Sequence, residues 1–250
     1  MLVRDSGAGM EVLMLRRNLS STWVGGAHLF PGGAVDGADG AAELAARSPE
    51  RDDASASRLL GLATGGLAFF VAALRECFEE AGVLLAAGRS GAPIDFADPT
   101  TAERFVEHRR RLNAGEVTFA DLCEVEDLRL DTHRLFYLSH WITPEGSPRR
   151  YDTRFFVGRM PEGQRALHDD VEVIDSLWTS PAEALRRHAA GEIDLLFPTM
   201  KNLEAVGRFS STTELIEATA GAEVPTILPR ITVAEDGVRL LLPGDEGYDR

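Results

Sequence analysis

At 250 residues, 44% of them hydrophobic, the chain can bury a sizeable core as one domain with insertions or as one domain with a helical appendage. A formal net charge of −14 argues against nucleic acid as a partner, because gripping its backbone needs many Lys and Arg contacts, yet it leaves a small phosphorylated ligand open. Two cysteines, Cys77 and Cys123, make no disulfide framework, and neither a membrane-length apolar run nor a signal-peptide pattern is present, so no membrane partner and a reducing, cytoplasmic setting are the expectations.

Val12–Arg16 reads as a strand after a turn at Ser6–Gly9, with Leu2 and Val3 as the stub of its partner. So abrupt an opening points to a natural start slightly upstream. Residues 30–39, FPGGAVDGAD, form a Gly- and Pro-punctuated turn followed by two acids. Residues 40–67 are Ala-rich helical pieces interrupted by Pro49, Gly61, Gly65 and Gly66, and read as a surface excursion, either a functional lid or a mobile segment.

The next helix carries the most informative stretch, RECFEEAGV at residues 75–83. Glu76, Glu79 and Glu80 fall within about 100° of arc, since i, i+3 and i+4 are helical neighbours. Phe70, Ala73, Leu74, Cys77 and Ala81 occupy the opposite arc and can be buried, and Gly82 supplies a stop. Like charges at these spacings repel, so local stability gives no reason for three glutamates. The bare pattern fits either a solvated acidic face or a hard-oxygen site for Mg²⁺ or Mn²⁺. Cys77 reads as a small core residue rather than a nucleophile.

Thr100–Glu103 looks like a capping box opening a helix over Thr101–Asn113, whose run Arg109-Arg110-Arg111 is either a solvated face or a phosphate contact. A short helix follows at Phe119–Val125. Strands are predicted at Leu135–Thr143 and Tyr151–Arg159, paired antiparallel, and at Glu172–Thr179. Ser180 caps a helix with Pro181 at its first position, and Gly191 ends it. Residues 192–220 read as helical, with Pro198 near a start and Ser211–Glu214 as a capping signal, and Ile231–Leu242 reads as a hairpin around Asp236-Gly237. His28 and His140 are lone histidines in apolar surroundings, with no second histidine at ligand spacing.

FPGGAVDGAD together with RECFEEAGV resembles the Nudix box of the Nudix hydrolases, G-x5-E-x7-REUxEExGU with U aliphatic. Gly33 matches the first glycine, Asp39 stands where the first glutamate is expected, and Cys77 replaces an aliphatic residue. Asp39 and Arg75 lie 36 positions apart where the pattern has 8, so 28 residues are inserted. A similar split box, with FPGG before it and a continuation like Leu84-Leu85 after it, occurs in the subgroup that includes coenzyme A diphosphatases. EVIDSLWTSPAEAL, residues 172–185, is a second resemblance, to the family's acidic residue ahead of a tryptophan-bearing strand.

The resemblance implies an α/β fold, an α/β/α sandwich on a mixed sheet, over residues 1–190, with the helical insertion inside the box. A C-terminal helical and hairpin extension over 191–250 would pack on the same domain and either shape the substrate pocket or make a homodimer contact. It implies metal ligands Glu76, Glu79 and Glu80, holding Mg²⁺ or Mn²⁺ ions, with Arg75 orienting a ligating carboxylate. Glu172 is the candidate for an extra ligand or for the base that prepares water, with Asp169, Asp170 and Asp175 as competitors. Gly32 and Gly33 are expected at the substrate, and Trp178 in the core. The implied reaction is metal-assisted hydrolysis of a nucleoside diphosphate linked to another group, with coenzyme A or acyl-CoA favoured. ADP-ribose, NADH and nucleotide sugars remain open, as does a Nudix-fold module that binds a nucleotide without cleaving it. A second coenzyme A signature is only partly present: Arg17, Gly26 and FPGG align, but Thr22 stands where an arginine belongs.

Overall fold

The computed structural model of the protein describes residues 1–19, 25–167, 173–234 and 237–248. Strand β1 (Leu2–Ser6) turns back into β2 (Gly9–Arg17), with Val3 opposite Val12, and the two-residue β3 (His28–Leu29) pairs with Leu15 and Arg16 of β2. The alternation along β2 defines two apolar layers. Leu13 and Leu15 face a core containing Phe70 and Leu74, whereas Val12 and Met14 face a second core containing Leu203 and Val206.

After β3 come a 3₁₀ turn (Gly37–Gly40), α1 (Ala42–Ala46), α2 (Asp53–Leu60) and α3 (Gly66–Ala81), the helix that bears RECFEEAGV. The inserted segment is neither a lid nor a loose excursion, which corrects the sequence reading. Leu44, Ala56 and Leu60 are buried in the same core as α3. Arg47 donates to the Leu128 carbonyl at 3.0 Å, and Arg51 donates to those of Thr132 and Leu135 at 3.1 and 3.2 Å. The Arg51 guanidinium also lies 4.2 Å from the Phe70 ring centroid. Ala-rich pieces lend themselves to close packing, and the two arginines satisfy loop carbonyls that would otherwise need water.

The chain continues through β4 (Ala86–Ala87), α4 (Pro99–Asn113), α5 (Phe119–Val125) and β5 (Arg129–Leu130), the two short strands pairing with each other. Helix α4 starts before the predicted capping box because Asp98 takes the cap: its carboxylate accepts from the Thr101 N–H at 2.9 Å, and Pro99 fills the first helical position. Strands β6 (Phe136–Ile142) and β7 (Asp152–Arg159) pair antiparallel as expected, β7 runs parallel to β1, and β8 (Val173–Thr179) pairs with β2.

Helix α6 (Pro181–Ala189) has Ser180 as cap and is followed by α7 (Phe197–Val206) and α8 (Thr212–Thr219). The short β9 (Thr226–Ile227) then joins β6 in parallel, and β10 (Arg230–Ala234) pairs with β11 (Gly237–Leu241) as a separate hairpin. The result is a seven-stranded mixed sheet with α3 on one face and α6 and α7 on the other, an α/β/α sandwich. Beyond Gly191, the chain contributes Leu195, Leu203, Val206 and Leu215 to the second core. No helix among the described residues is long and apolar enough to cross a membrane.

Asp5 ties α8 to β1, accepting from the Thr212 hydroxyl at 2.6 Å and the Thr212 N–H at 2.8 Å. The hydroxyl first, and then the N–H, hold its carboxyl below the usual carboxylate range. A depressed folded-state pKa stabilises above the unfolded value of about 3.9 and loses that contribution as pH falls through the folded one. Asp5→Ala is therefore expected to cost only about 0.2–1 kcal/mol near neutral pH, since the Asp5 side chain is 43% exposed and solvent screens its contacts. Urea denaturation at a series of pH values should show the gap from the parent closing below about pH 3.9.

Candidate active site

Helix α3 buries Phe70, Leu74, Cys77 and Ala81 against the sheet, each large apolar side chain contributing about 1.5–3 kcal/mol, and so turns its acidic stripe toward the loop that follows β3. Ala73 is only half-buried at the margin of that face. Gly82 ends the helix at φ 66°, a conformation that costs a side-chain-bearing residue about 1 kcal/mol or more.

The organising group is Arg75. Its Nη1 donates to Glu76 Oε1 at 2.8 Å and to Glu79 Oε2 at 2.6 Å, so one guanidinium nitrogen holds two carboxylates of the stripe. Its other edge grips Asp39 as a fork, Nε to Oδ1 at 2.8 Å and Nη2 to Oδ2 at 3.0 Å, and Nη2 also reaches the Ala34 carbonyl at 3.0 Å. Asp39 is fixed in turn by the Asp36 N–H, 2.8 Å from Oδ2. Burial works to lower the Arg75 pKa, but the Asp39 hydrogen bonds and the charges of Glu76, Glu79 and Asp39 outweigh it and raise the value above the ordinary arginine range. The cation is permanent.

The FPGG turn meets the same stripe from above. The Gly32 N–H donates to Glu80 Oε2 at 2.8 Å, and Glu80 is 4% exposed. A Cβ built on Gly33 would fall onto the Glu76 carboxylate, so only glycine lets the turn approach this closely. Gly32 and Gly33, expected at the substrate, thus lie directly against the box glutamates. Gly33→Ala is expected to displace Glu76 and lower turnover by about 10–100-fold while the unfolding temperature stays near that of the parent. Steady-state kinetics alongside thermal unfolding would check it.

The structure brings together Arg75, Glu76, Glu79, Glu80, Gly32 and Gly33. Glu172, with Asp169 and Asp170, lies outside the described residues, as does Thr22. Three groups at the site were absent from the sequence-derived set. Asp39 is one, although its place in the box pattern was the signal that could have found it. Arg109 and Asn113 of α4 are the others: their side chains donate to the Glu79 carbonyl at 2.9 and 3.2 Å, from 30 and 34 residues away, and nothing local sets Arg109 apart from the other two arginines of its run or points Asn113 to this site.

The remaining candidates have structural roles. Burial pushes the Cys77 thiol up to about 12, so it stays protonated and is no nucleophile. His140 lies between Asp152 at 2.6 Å and Thr226 at 2.9 Å. His28 is 7% exposed, and burial first, then Arg16 and Arg187, lower its pKa and keep it neutral. Trp178 packs against the α3-side core with the Arg4 guanidinium 4.2 Å above its ring. Arg110 pairs with Glu107 and Glu116, and Arg111 with Glu116, on the solvated face of α4, whereas Arg109 turns inward.

As to a cation, no cluster of three His, Cys, Asp or Glu side chains is preassembled among the described residues, and Arg75 and the Gly32 N–H engage the box carboxylates. The donor chemistry nevertheless fits: three hard carboxylates on one stripe suit Mg²⁺ or Mn²⁺, and the bare Cα of Gly33 leaves Glu76 its place among them.

Comparison with known proteins identifies the family. A sequence model of the NUDT19 Nudix domain matches residues 56–206. The acyl-coenzyme A diphosphatase NUDT19 of Homo sapiens is 30% identical over 273 aligned residues, covering 96% of this chain and 72% of that protein. Its counterpart in Gallus gallus is 33% identical over 275, covering 95% and 72%. The crystal structure of a NUDIX hydrolase from Alicyclobacillus acidocaldarius superposes with a TM-score of 0.65 at 26% identity, covering 87% of this chain and 92% of that one. Family match, fold and box together place the chain among the Nudix hydrolases, in the family of the NUDT19 Nudix domain.

Proposed function

We propose that the protein hydrolyses the diphosphate of coenzyme A or an acyl-CoA, with Glu76, Glu79 and Glu80 holding Mg²⁺ or Mn²⁺. The observation that carries this reading is the Arg75 centre, which gathers Glu76 and Glu79 on one nitrogen while the Gly32 N–H fixes Glu80. The choice of coenzyme A rests on the relatives, both acyl-coenzyme A diphosphatases, and on the split box of this chain, which resembles that of the subgroup that includes coenzyme A diphosphatases.

When bound, a divalent cation neutralises diphosphate oxygens and lowers the pKa of water. That contribution matters on a chain of net charge −14, where an anionic substrate would otherwise be repelled. The protein's own part is positioning. Arg75 keeps the Glu76 and Glu79 carboxylates in register, Gly33 admits the turn, and Glu80 is locked by the backbone. Glu172 is the proposed base, taking the proton from the attacking water as its oxygen bonds to phosphorus. The bridging P–O bond breaks on the opposite side, and two phosphomonoesters leave.

A panel of CoA, an acyl-CoA, ADP-ribose, NADH and an ADP-sugar, assayed with Mg²⁺ and with Mn²⁺ for released monophosphates, tests the substrate. CoA or the acyl-CoA should show the highest kcat/KM. A clear preference for ADP-ribose, NADH or the ADP-sugar would move the assignment there, and tight nucleotide binding without cleavage would make the protein a binding module.

A further inference from the structure

The carbonyls of the last turn of a helix lack partners within it, and in α3 that turn carries Glu79 and Glu80. Its carbonyls are met from inside the helix end and from distant parts of the chain. The Gly82 and Val83 N–H groups turn back to Phe78 and Cys77, and the Leu167 N–H donates to Ala81 O at 2.8 Å. The Glu79 carbonyl receives two side chains from α4: Arg109 Nε at 2.9 Å and Asn113 Nδ2 at 3.2 Å. The approach is close, since a Cβ on Gly82 would sit 3.1 Å from Arg109 Nη1.

Arg109 and Asn113 are one turn apart on α4, so both project from one helical face onto a single oxygen. The other two arginines of the run point away, in surface ion pairs with Glu107 and Glu116. Arg109 also brings a fixed positive charge to the negative end of the α3 dipole. The oxygen it grips belongs to the residue whose carboxylate Arg75 holds at 2.6 Å, so backbone and side chain of Glu79 are fixed by two different arginines.

We infer that Arg109 and Asn113 are positioning residues, which set the last turn of the box helix so that Glu79 and Glu80 present their carboxylates to a divalent cation. This rests on the proposed metal role of the box glutamates but not on the identity of the substrate. Losing a group that orients a ligand typically costs 10–100-fold in metal affinity or activity.

The test is Mn²⁺ binding by electron paramagnetic resonance, with no substrate present, in the full-length parent, Arg109→Ala, Arg109→Lys, Asn113→Ala and Arg110→Ala. Arg109→Ala should weaken Mn²⁺ by about 10–100-fold. Asn113→Ala, which keeps one donor and changes an exposed side chain, should weaken it less, Arg109→Lys should recover part of the loss, and Arg110→Ala should match the parent. With a turnover assay, kcat should fall in the same order while KM stays near the parental value. Parental Mn²⁺ affinity in both Arg109→Ala and Asn113→Ala would overturn the inference. So would a raised KM with Mn²⁺ affinity and kcat intact, which would make Arg109 a substrate contact. If Arg109→Ala fails to fold, Asn113→Ala alone decides, by the same criterion. A parent that binds Mn²⁺ but cleaves no CoA would refute the substrate assignment and leave this inference standing.

Discussion

Glu79→Gln is expected to remove nearly all turnover while leaving the protein folded. Glutamine keeps an oxygen to accept from Arg75 Nη1, which Glu79 now meets at 2.6 Å, so packing is conserved and only the negative charge is lost. That charge is what a divalent cation would use. The expected fall in kcat is on the order of 10²–10³-fold, the range seen when one preorganised electrostatic group is deleted. Stability should fall by less than for loss of Asp39, because the weakened ion pair with Arg75 is partly offset by relief of repulsion among three neighbouring like charges. Purified variant and parent, compared by kcat and by thermal unfolding, separate the two effects. A variant with parental turnover would remove Glu79 from the metal site.

Asp39→Ala is expected to strike stability as well as activity. The Asp39 side chain is 1% exposed and that of Arg75 13%, so their forked pair is a buried one. Removing one partner of such a pair costs about 3–5 kcal/mol, because the other charge is left without compensation. Arg75 keeps Glu76, Glu79 and the Ala34 carbonyl, so the lower end, about 3 kcal/mol, is expected. The Asp36 N–H also loses its acceptor, which loosens the 3₁₀ turn leading into the inserted helices. Urea denaturation should show the loss as a lower midpoint at unchanged slope. A cost under about 1 kcal/mol would mark the pair as no better than a surface one. Asp39→Glu, which restores the residue type the box pattern expects, should recover part of the stability.

What was legible in the sequence was what is local. The helix bearing RECFEEAGV, its buried face and its stop at Gly82 all follow from 3.6-residue periodicity and one glycine. The approach of the FPGG turn to that helix followed from the family resemblance, since Gly32 and Glu80 are 48 residues apart. The start of α4 lies upstream of the one the sequence suggests because Thr100–Glu103 imitates a capping box, while Asp98-Pro99 offers a stronger start. The packing of the inserted segment is hidden from the sequence for a different reason. Its anchors, Arg47 and Arg51, bind carbonyls 81 and 84 residues away, and Ala-rich composition carries no trace of them. The same holds for Arg109. A run of three arginines reads as one feature, but one helical face separates the residue that grips Glu79 from the two that face solvent.

The central claim, that the box glutamates form a metal-dependent diphosphate-cleaving site, is tested most directly by following CoA with ³¹P nuclear magnetic resonance, with Mg²⁺ supplied and then withdrawn by chelation. The diphosphate resonances should give way to two phosphomonoesters only while Mg²⁺ is present, and Glu79→Gln should leave the CoA spectrum unchanged over the same interval. Cleavage that persists in the chelated sample or in Glu79→Gln would contradict the account.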